Sequence, residues 1–219
     1  MAAVEPIAPG SAAVPSSATV PPTVAPGDGR SARSNRTRDA VVESLLAWLR
    51  DGNLRPTAKE IADRAGISVR SVYVHFDDLD DLFCAASERT GREIDGLLEL
   101  ISVDQPFEDR IRAVIDQRVR VFEVIMPVKR AGALQEPFSK PLAEIFAGMR
   151  SVQRDEIERV FAAELAAVDP DDRDAALAAA HLVTVEEAWS FQRNCMGLDV
   201  ADARAAMAHA LRAILGGRS

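Results

Sequence analysis

Apolar residues recur at helical spacing through most of the chain, and no stretch shows the two-residue alternation of a strand. Val41, Val42, Leu45, Leu46 and Leu49 form one stripe, with Trp48 beside it. They predict a helix from Asn35 to about Asp51, where Asp51-Gly52-Asn53 stops it. Ile61, Ala62, Ala65, Ile67, Val72 and Phe76 then fall where two short crossed helices would bury their contact face. Thr57 with Glu60 three residues on has the spacing of a capping box, just after Pro56. Gly66 supplies the positive φ that ends the first of the two helices, and Ser68 caps the second.

Further along, Asp77 and Asp78 suit a helix start, and the pattern Leu82, Phe83, Ala86, Ile94, Leu97, Leu98, Ile101 carries that helix to about Ser102. The next runs from about Phe107 to Ile125 and is interrupted at Met126-Pro127. A short irregular stretch to Glu136 follows, with Pro137 and Pro141 bracketing a loop, and a wall that can move is expected there. Leu142, Ile145, Phe146, Met149, Val160, Phe161 and Leu165 predict a helix from Leu142 to about Val168, broken by Asp169-Pro170. Residues 171–196 are apolar on two sides, with Leu177, His181, Thr184, Ala188, Phe191 and Cys195 on one and Leu182, Val185, Trp189 and Met196 on the other. A helix of that kind is buried between two layers. Residues 200–215 close the chain with Ala203, Met207, Ala210, Leu211 and Ile214. The expected fold is all-α, about nine helices.

Two short helices joined by a tight Gly66-Ile67-Ser68 turn are the pattern of a DNA-binding helix-turn-helix; an ordinary helical hairpin has the same spacing. The stretch TAKEIADRAGISVRSVYVHFDDLDDLF also resembles the signature of TetR-type transcriptional regulators, through Ile61-Ala62, Ala65-Gly66-Ile67-Ser68, Tyr73, His75 and Phe76. The resemblance covers roughly residues 35–85. A Lys often found three residues after the Phe is Leu79 here, inside an acidic run, so the phosphate contact expected there is in doubt. The resemblance implies a three-helix head over residues 33–80 and a ligand-binding and dimerisation domain over 81–219. It also implies that the helix after Phe76 links ligand site to head.

Net charge is −8, which at first argues against a polyanion partner. Residues 30–75, however, hold nine Lys/Arg against five acids, a local +4 that leaves −12 for the rest. Phosphate attraction is local, so a basic head on an acidic body fits a modular DNA binder. Residues 1–32 are rich in Ala, Pro, Ser and Gly and hold six of the twelve prolines, so disorder is expected; their Arg-containing end is either a solvated run or an arm that reaches phosphates. The two cysteines, Cys84 and Cys195, have no metal-type spacing and are expected as buried free thiols in a reducing compartment. No apolar run reaches the ~20 residues of a membrane span. The N-terminus is a poor secretory signal, and a cytoplasmic location is expected.

For the DNA interface the candidates are Arg36, Thr57, Lys59, Ser68, Val69, Arg70, Ser71, Tyr73, Val74 and His75. Arg70 can pair bidentately with guanine O6 and N7 or bind a phosphate, and Val69 and Val74 can touch a thymine methyl. Thr57 and Lys59 open a helix, where backbone N–H groups meet phosphate; Ser71, Tyr73 and His75 are phosphate donors by the resemblance. Packing in the core is the alternative for Tyr73, and a solvated face for Arg36. The resemblance also implies a small-molecule effector, of unknown identity, with Phe122, Met126, Arg130, Phe138, Phe146, Met149, His181, Glu186, Trp189 and Arg193 as candidate pocket residues, each of which also fits core or surface. The alanine-rich last two helices are the candidate homodimer interface. Partners are then a palindromic DNA operator, a second copy and the effector, with no membrane and no cofactor. No catalytic or metal-binding constellation is visible. The rival readings are an enzyme built on a bundle with a degenerate head, and a helical interaction module that has lost DNA binding.

Overall fold

The computed structural model describes residues 28–216, and the expectation for residues 1–27 lies outside them. Among the described residues there are ten α-helices, one 3-10 turn and no strand. The first four helices are α1 (Asp28–Arg50), α2 (Ala58–Ala65), α3 (Val69–His75) and α4 (Leu79–Asp95). Then come α5 (Phe107–Gly132), α6 (Lys140–Val160), α7 (Ala162–Ala167), α8 (Arg173–Leu182), α9 (Glu186–Asn194) and α10 (Val200–Leu215).

Two apolar clusters organise them. The head cluster joins Val41, Leu45, Leu46 and Leu49 of α1 to Ile61, Ala62, Val72 and Phe76. It is completed by Leu82, Phe83 and Ala86 from the start of α4 and by Val128 and Ala131 from the end of α5. The body cluster takes Ile94 of α4, Ile111 to Ile125 of α5, Ile157 and Phe161, Leu177, Trp189, and Ala203, Met207 and Leu211 of α10. Both α4 and α5 therefore run from one core into the other. That shared ownership is what ties head to body.

Several helix ends depart from the expected ones, each for a tertiary reason. The first helix starts at Asp28, so residues 28–32, expected to be disordered, are helical; no proline lies between Pro26 and Arg50 to stop it. The α4 helix stops at Asp95 and not near Ser102, because the backbone beyond finds partners elsewhere. Gln117 Oε1 accepts from the Glu99 N–H at 2.7 Å, and Arg159 donates to the Ile101 carbonyl at 2.9 Å. Leu98, expected on the apolar side, is exposed.

Pro127 does not interrupt α5, which continues to Gly132. An internal proline costs about 3 kcal/mol, and here the helix is anchored on both sides of it. Ile125 sits in the body core, while Val128 and Ala131 sit in the head core. Pro137 and Pro141 do not bracket a loop either. The first lies in the 3-10 turn Glu136–Phe138, and the second in the opening turn of α6, where a missing N–H costs nothing. This stretch is pinned. Ser139 Oγ donates to Asp80 Oδ2 at 2.7 Å and caps α6 through Leu142 N at 3.2 Å, and Arg150 holds Glu136 at 2.8 Å.

The expected helix over 142–168 is two, split at Phe161. That ring is fully buried and meets Phe107 edge-on at 6.0 Å, while Arg110 donates to the Val160 carbonyl at 2.6 Å. The expected helix over 171–196 is also two. Val183, Thr184 and Val185 are β-branched, and the Thr184 hydroxyl bonds the Ala180 and His181 carbonyls at 3.0 and 2.9 Å as the chain leaves the helix. Neither apolar side is wholly covered, since Phe191 on the first and Leu182 and Met196 on the second are each more than half exposed. Cys195 is exposed and Cys84 half-buried, so neither is the buried thiol expected. Burial pushes the Cys84 thiol up, with Asp80 and Asp81 adding to the effect. No helix among the described residues is long and apolar enough to cross a membrane.

Candidate nucleic-acid interface and junction groove

The turn between α2 and α3 forms from local chemistry. Thr57 Oγ1 accepts from the Glu60 N–H at 3.3 Å, and Glu60 Oε2 accepts from the Thr57 N–H at 2.7 Å, completing the capping box. The Thr57 N–H and hydroxyl hold the Glu60 carboxyl below its ordinary range. Gly66 adopts φ 69°, in the left-handed region. Ser68 caps α3 by accepting from the Ser71 N–H at 3.1 Å. Trp48 locks the pair of helices from below, donating from Nε1 to the Glu60 carbonyl at 3.1 Å.

With Val72 and Phe76 turned into the core, α3 presents Val69, Arg70, Tyr73 and Val74 outward, Val74 at 71% exposure and Tyr73 at 50%. Ser71 and His75 are half-buried at the edges of that face, and Ser68 and Thr57 are exposed beside it. The cations of the head divide by partner. Among the described residues Lys59 meets Asp63 at 2.6 Å, Arg64 meets Asp51 at 2.7 Å, and Arg50 lies within 4 Å of Glu43 and Glu93. Arg33, Arg36, Arg38, Arg55 and Arg70 have no carboxylate partner among the described residues. Lys59 is thus committed to an exposed i,i+4 pair, and that hydrogen bond to Asp63 holds its ammonium above the ordinary range.

The acidic run after Phe76 is absorbed by local structure. Asp78 caps α4 by accepting from the Asp81 N–H at 2.8 Å, Asp81 accepts from the Asp77 N–H at 3.3 Å, and Asp80 holds Ser139. Leu79 packs against the head core.

The expected pocket residues are scattered. Phe122 and Trp189 are buried in the body core, with ring centroids 6.1 Å apart. Met149 packs against the same core, and Phe138 is 90% exposed. Phe146 is buried against Gly132, where an added Cβ would lie 2.5 Å from the ring. His181 is half-buried, its Nε2 without a hydrogen-bond partner among the described residues; burial, then Arg118 and Arg154, push its imidazole below the ordinary range. Arg193 donates to the Leu198 carbonyl and lies over Trp189.

Met126 and Arg130, by contrast, line a groove of about 410 Å³ where head meets body. Leu54 comes to it from the head, Ala133 and Glu136 from the α5 end, and Phe191 from α9. In its wall the Lys129 ammonium lies 2.6 Å from Glu186 and 3.9 Å over the Phe146 ring, both charged side chains buried. Glu187 stands 3.6 Å off, half exposed. Gln153 bonds Glu186 at 3.4 Å, and Arg118 bonds the Gln153 carbonyl and pairs with Glu156 at 2.8 Å. A larger cleft of about 850 Å³ lies at the far end of the body, against Phe107, Ala176 and Leu215, and includes none of the expected residues. Lys129 and Arg118, with Gln153 and Glu156, were not among the sequence candidates. A signal existed: on α5 the buried positions 111, 115, 118, 122, 125, 129 and 132 repeat at helical spacing, and two of them are charged.

Residues 52–86 match the family model of the bacterial regulatory proteins of the tetR family. No curated protein matches the chain. Among solved structures, a transcriptional regulator from a Rhodococcus species superposes with a TM-score of 0.64 at 18% identity, over 82% of this chain and 96% of that one. A tetR-family transcriptional regulator from Streptomyces coelicolor gives 0.64 at 18% identity, over 82% of this chain and 80% of that one.

Proposed function

From a head that belongs to the TetR family and a body with the fold of such regulators, we propose that this protein is a homodimeric, effector-controlled repressor. The observation that carries the DNA contact is the outward face of α3. Arg70 stands there between Val69 and Val74 with no carboxylate partner among the described residues, while Lys59 and Arg64 of the preceding helix are held in ion pairs. Arg70 reads a guanine edge, Val69 and Val74 meet thymine methyls, and Ser71, Tyr73 and His75 bind backbone phosphates with Thr57 and Ser68 at the two helix starts. Lys59 joins them by exchanging Asp63 for phosphate. The copies meet through the last helices, where Leu182, Phe191, Met196 and Val200 leave apolar surface uncovered.

The effector takes the junction groove in preference to the distal cleft. An occupant there touches Leu54 in the head together with Met126, Arg130 and Phe191 in the body, so its binding energy depends on how the two parts sit. Coupling of about 1–3 kcal/mol changes operator affinity 5- to 150-fold. No catalytic step belongs to this reading.

Selection from a pool of random duplexes at fixed salt tests it. A palindrome whose half-sites lie one DNA turn apart, about 34–36 Å, is the expected product. Failure of the folded protein to enrich any sequence would overturn the reading, and sedimentation of the free protein as a monomer at micromolar concentration would overturn the dimer.

A further inference from the structure

We propose that the occupant of the junction groove is an amphipathic monoanion, a carboxylic acid with an apolar body whose carboxylate pairs with Arg130. This rests on the reading of that groove as the effector site. The pattern of charge carries it. Three carboxylates line the groove, and each already has a cation: Glu186 meets Lys129 at 2.6 Å, Glu187 meets the same ammonium at 3.6 Å, and Glu136 meets Arg150 at 2.8 Å. Of the two cations on that lining, Arg130 has neither a carboxylate nor a carbonyl partner among the described residues. Every other Lys and Arg from residue 96 to 216 has one. Arg110, Arg112, Arg118, Arg120, Lys129 and Lys140 meet carboxylates, as do Arg150, Arg154, Arg204 and Arg212. Arg159, Arg173 and Arg193 donate to backbone carbonyls. Arg130 stands in the last turn of α5, where a cation suits the negative end of the helix dipole. That attraction leaves its guanidinium N–H groups free to donate.

The surroundings of Arg130 indicate the rest of the molecule. Leu54 and Met126 are half-buried and Phe191 is 59% exposed, so an apolar body laid across them removes that surface from water. The same body covers Arg130, and a guanidinium shut off from water without an acceptor is costly. A neutral apolar molecule strands it, and an amine repels it. A carboxylate answers it with two parallel N–H···O bonds to the planar fork. The anion carries a single charge, because Glu136 and Glu187 on the same lining repel a second. The groove, at about 410 Å³, lies within the ordinary size range of small-molecule sites.

Calorimetric titration of the full chain at fixed salt tests this, with decanoate and 4-phenylbutyrate as probes, each against the alcohol and the amine of the same tail. The acids are expected to bind more tightly than either counterpart. Arg130→Gln is expected to weaken an acid roughly 10- to 150-fold, the loss of hydrogen bonds to a charged group. Arg130→Lys keeps the charge but not the fork and should fall between. Ala133 is exposed on the lining, so Ala133→Phe fills the groove without touching the core and should weaken the acids with Arg130 still in place. Acid affinity unmoved by Arg130→Gln or by Ala133→Phe overturns the assignment, and so does tighter binding of the amines or no binding of either acid. Selection of a palindrome by the same chain keeps the DNA-binding reading standing in each of those cases. Acids that bind through Arg130 yet leave affinity for the selected duplex unchanged support the anion site and overturn the groove as the point of control.

Discussion

Replacing Glu186 by Gln removes one carboxylate from a place where another charge cannot escape to water. The Lys129 and Glu186 side chains are 7% and 3% exposed, with Nζ and Oε1 2.6 Å apart. At an effective dielectric of 20 the direct attraction is about 6 kcal/mol, most of it offset by the desolvation of both ions. Breaking such a pair by removing one partner costs about 3–5 kcal/mol, because the survivor stays buried and uncompensated. Here Glu187 at 3.6 Å and the Phe146 ring at 3.9 Å remain beside Lys129, which places the expected loss near the low end, about 3 kcal/mol. Urea unfolding at pH 7 measures it, at one protein concentration because association adds to apparent stability. The double variant Lys129→Met/Glu186→Gln removes both charges and should recover at least half of the loss. The pH profile gives an independent reading. Burial pushes the Glu186 carboxyl up, but Lys129 and its hydrogen bonds outweigh that and leave it below the ordinary range. A carboxylate depressed on folding contributes stability above its unfolded value, near 4.3, and loses it as pH falls through the folded value. The gap between the unaltered chain and Glu186→Gln should therefore be full at pH 7 and shrink in acid. A loss below about 1 kcal/mol at pH 7, or a gap independent of pH, refutes the buried-ion argument.

Three further outcomes are expected. Arg70→Ala should weaken the selected operator by about 1–3 kcal/mol in a titration at fixed salt; unchanged affinity removes Arg70 from the base-reading face. Gly132→Ala puts a Cβ 2.5 Å from the Phe146 ring, and overpacking of this kind costs about 1–3 kcal/mol in thermal unfolding; an unshifted midpoint means the ring has room to move. Gly66→Ala meets open space, so its cost is backbone strain alone, about 1–2 kcal/mol for a side chain at φ 69°; Gly66→Asn should cost less, and equal losses would contradict the strain argument.

The head was legible in the sequence because its determinants are local. Thr57 with Glu60, Gly66 and Ser68 act within one turn of helix, and the apolar positions of α2 and α3 can meet in few ways. The limits of α10 were legible for the same reason, with Asp199 capping its start by accepting from the Asp202 N–H at 2.8 Å. What local pattern could not supply was where long helices end. Gly96, Phe161 and Thr184 break helices because distant or adjoining groups take up the freed backbone, as Gln117, Arg110 and the Thr184 hydroxyl do. Pro127, the strongest local breaker, fails to break because two cores hold the helix on either side of it.

The candidate sites divide along the same line. The outward residues of α3 follow from helical phase once Val72 and Phe76 are assigned to the core. The groove at Met126 and Arg130 needs Leu54 from seventy residues upstream and Phe191 from sixty downstream, and no periodicity relates them. Residue type and spacing thus determined the all-α class, the α2–α3 turn and the basic head, since those depend on neighbours along the chain. The packing of α5 between two cores decided the groove, the buried Lys129–Glu186 pair and the junction of head with body, because those depend on which surfaces exclude water together.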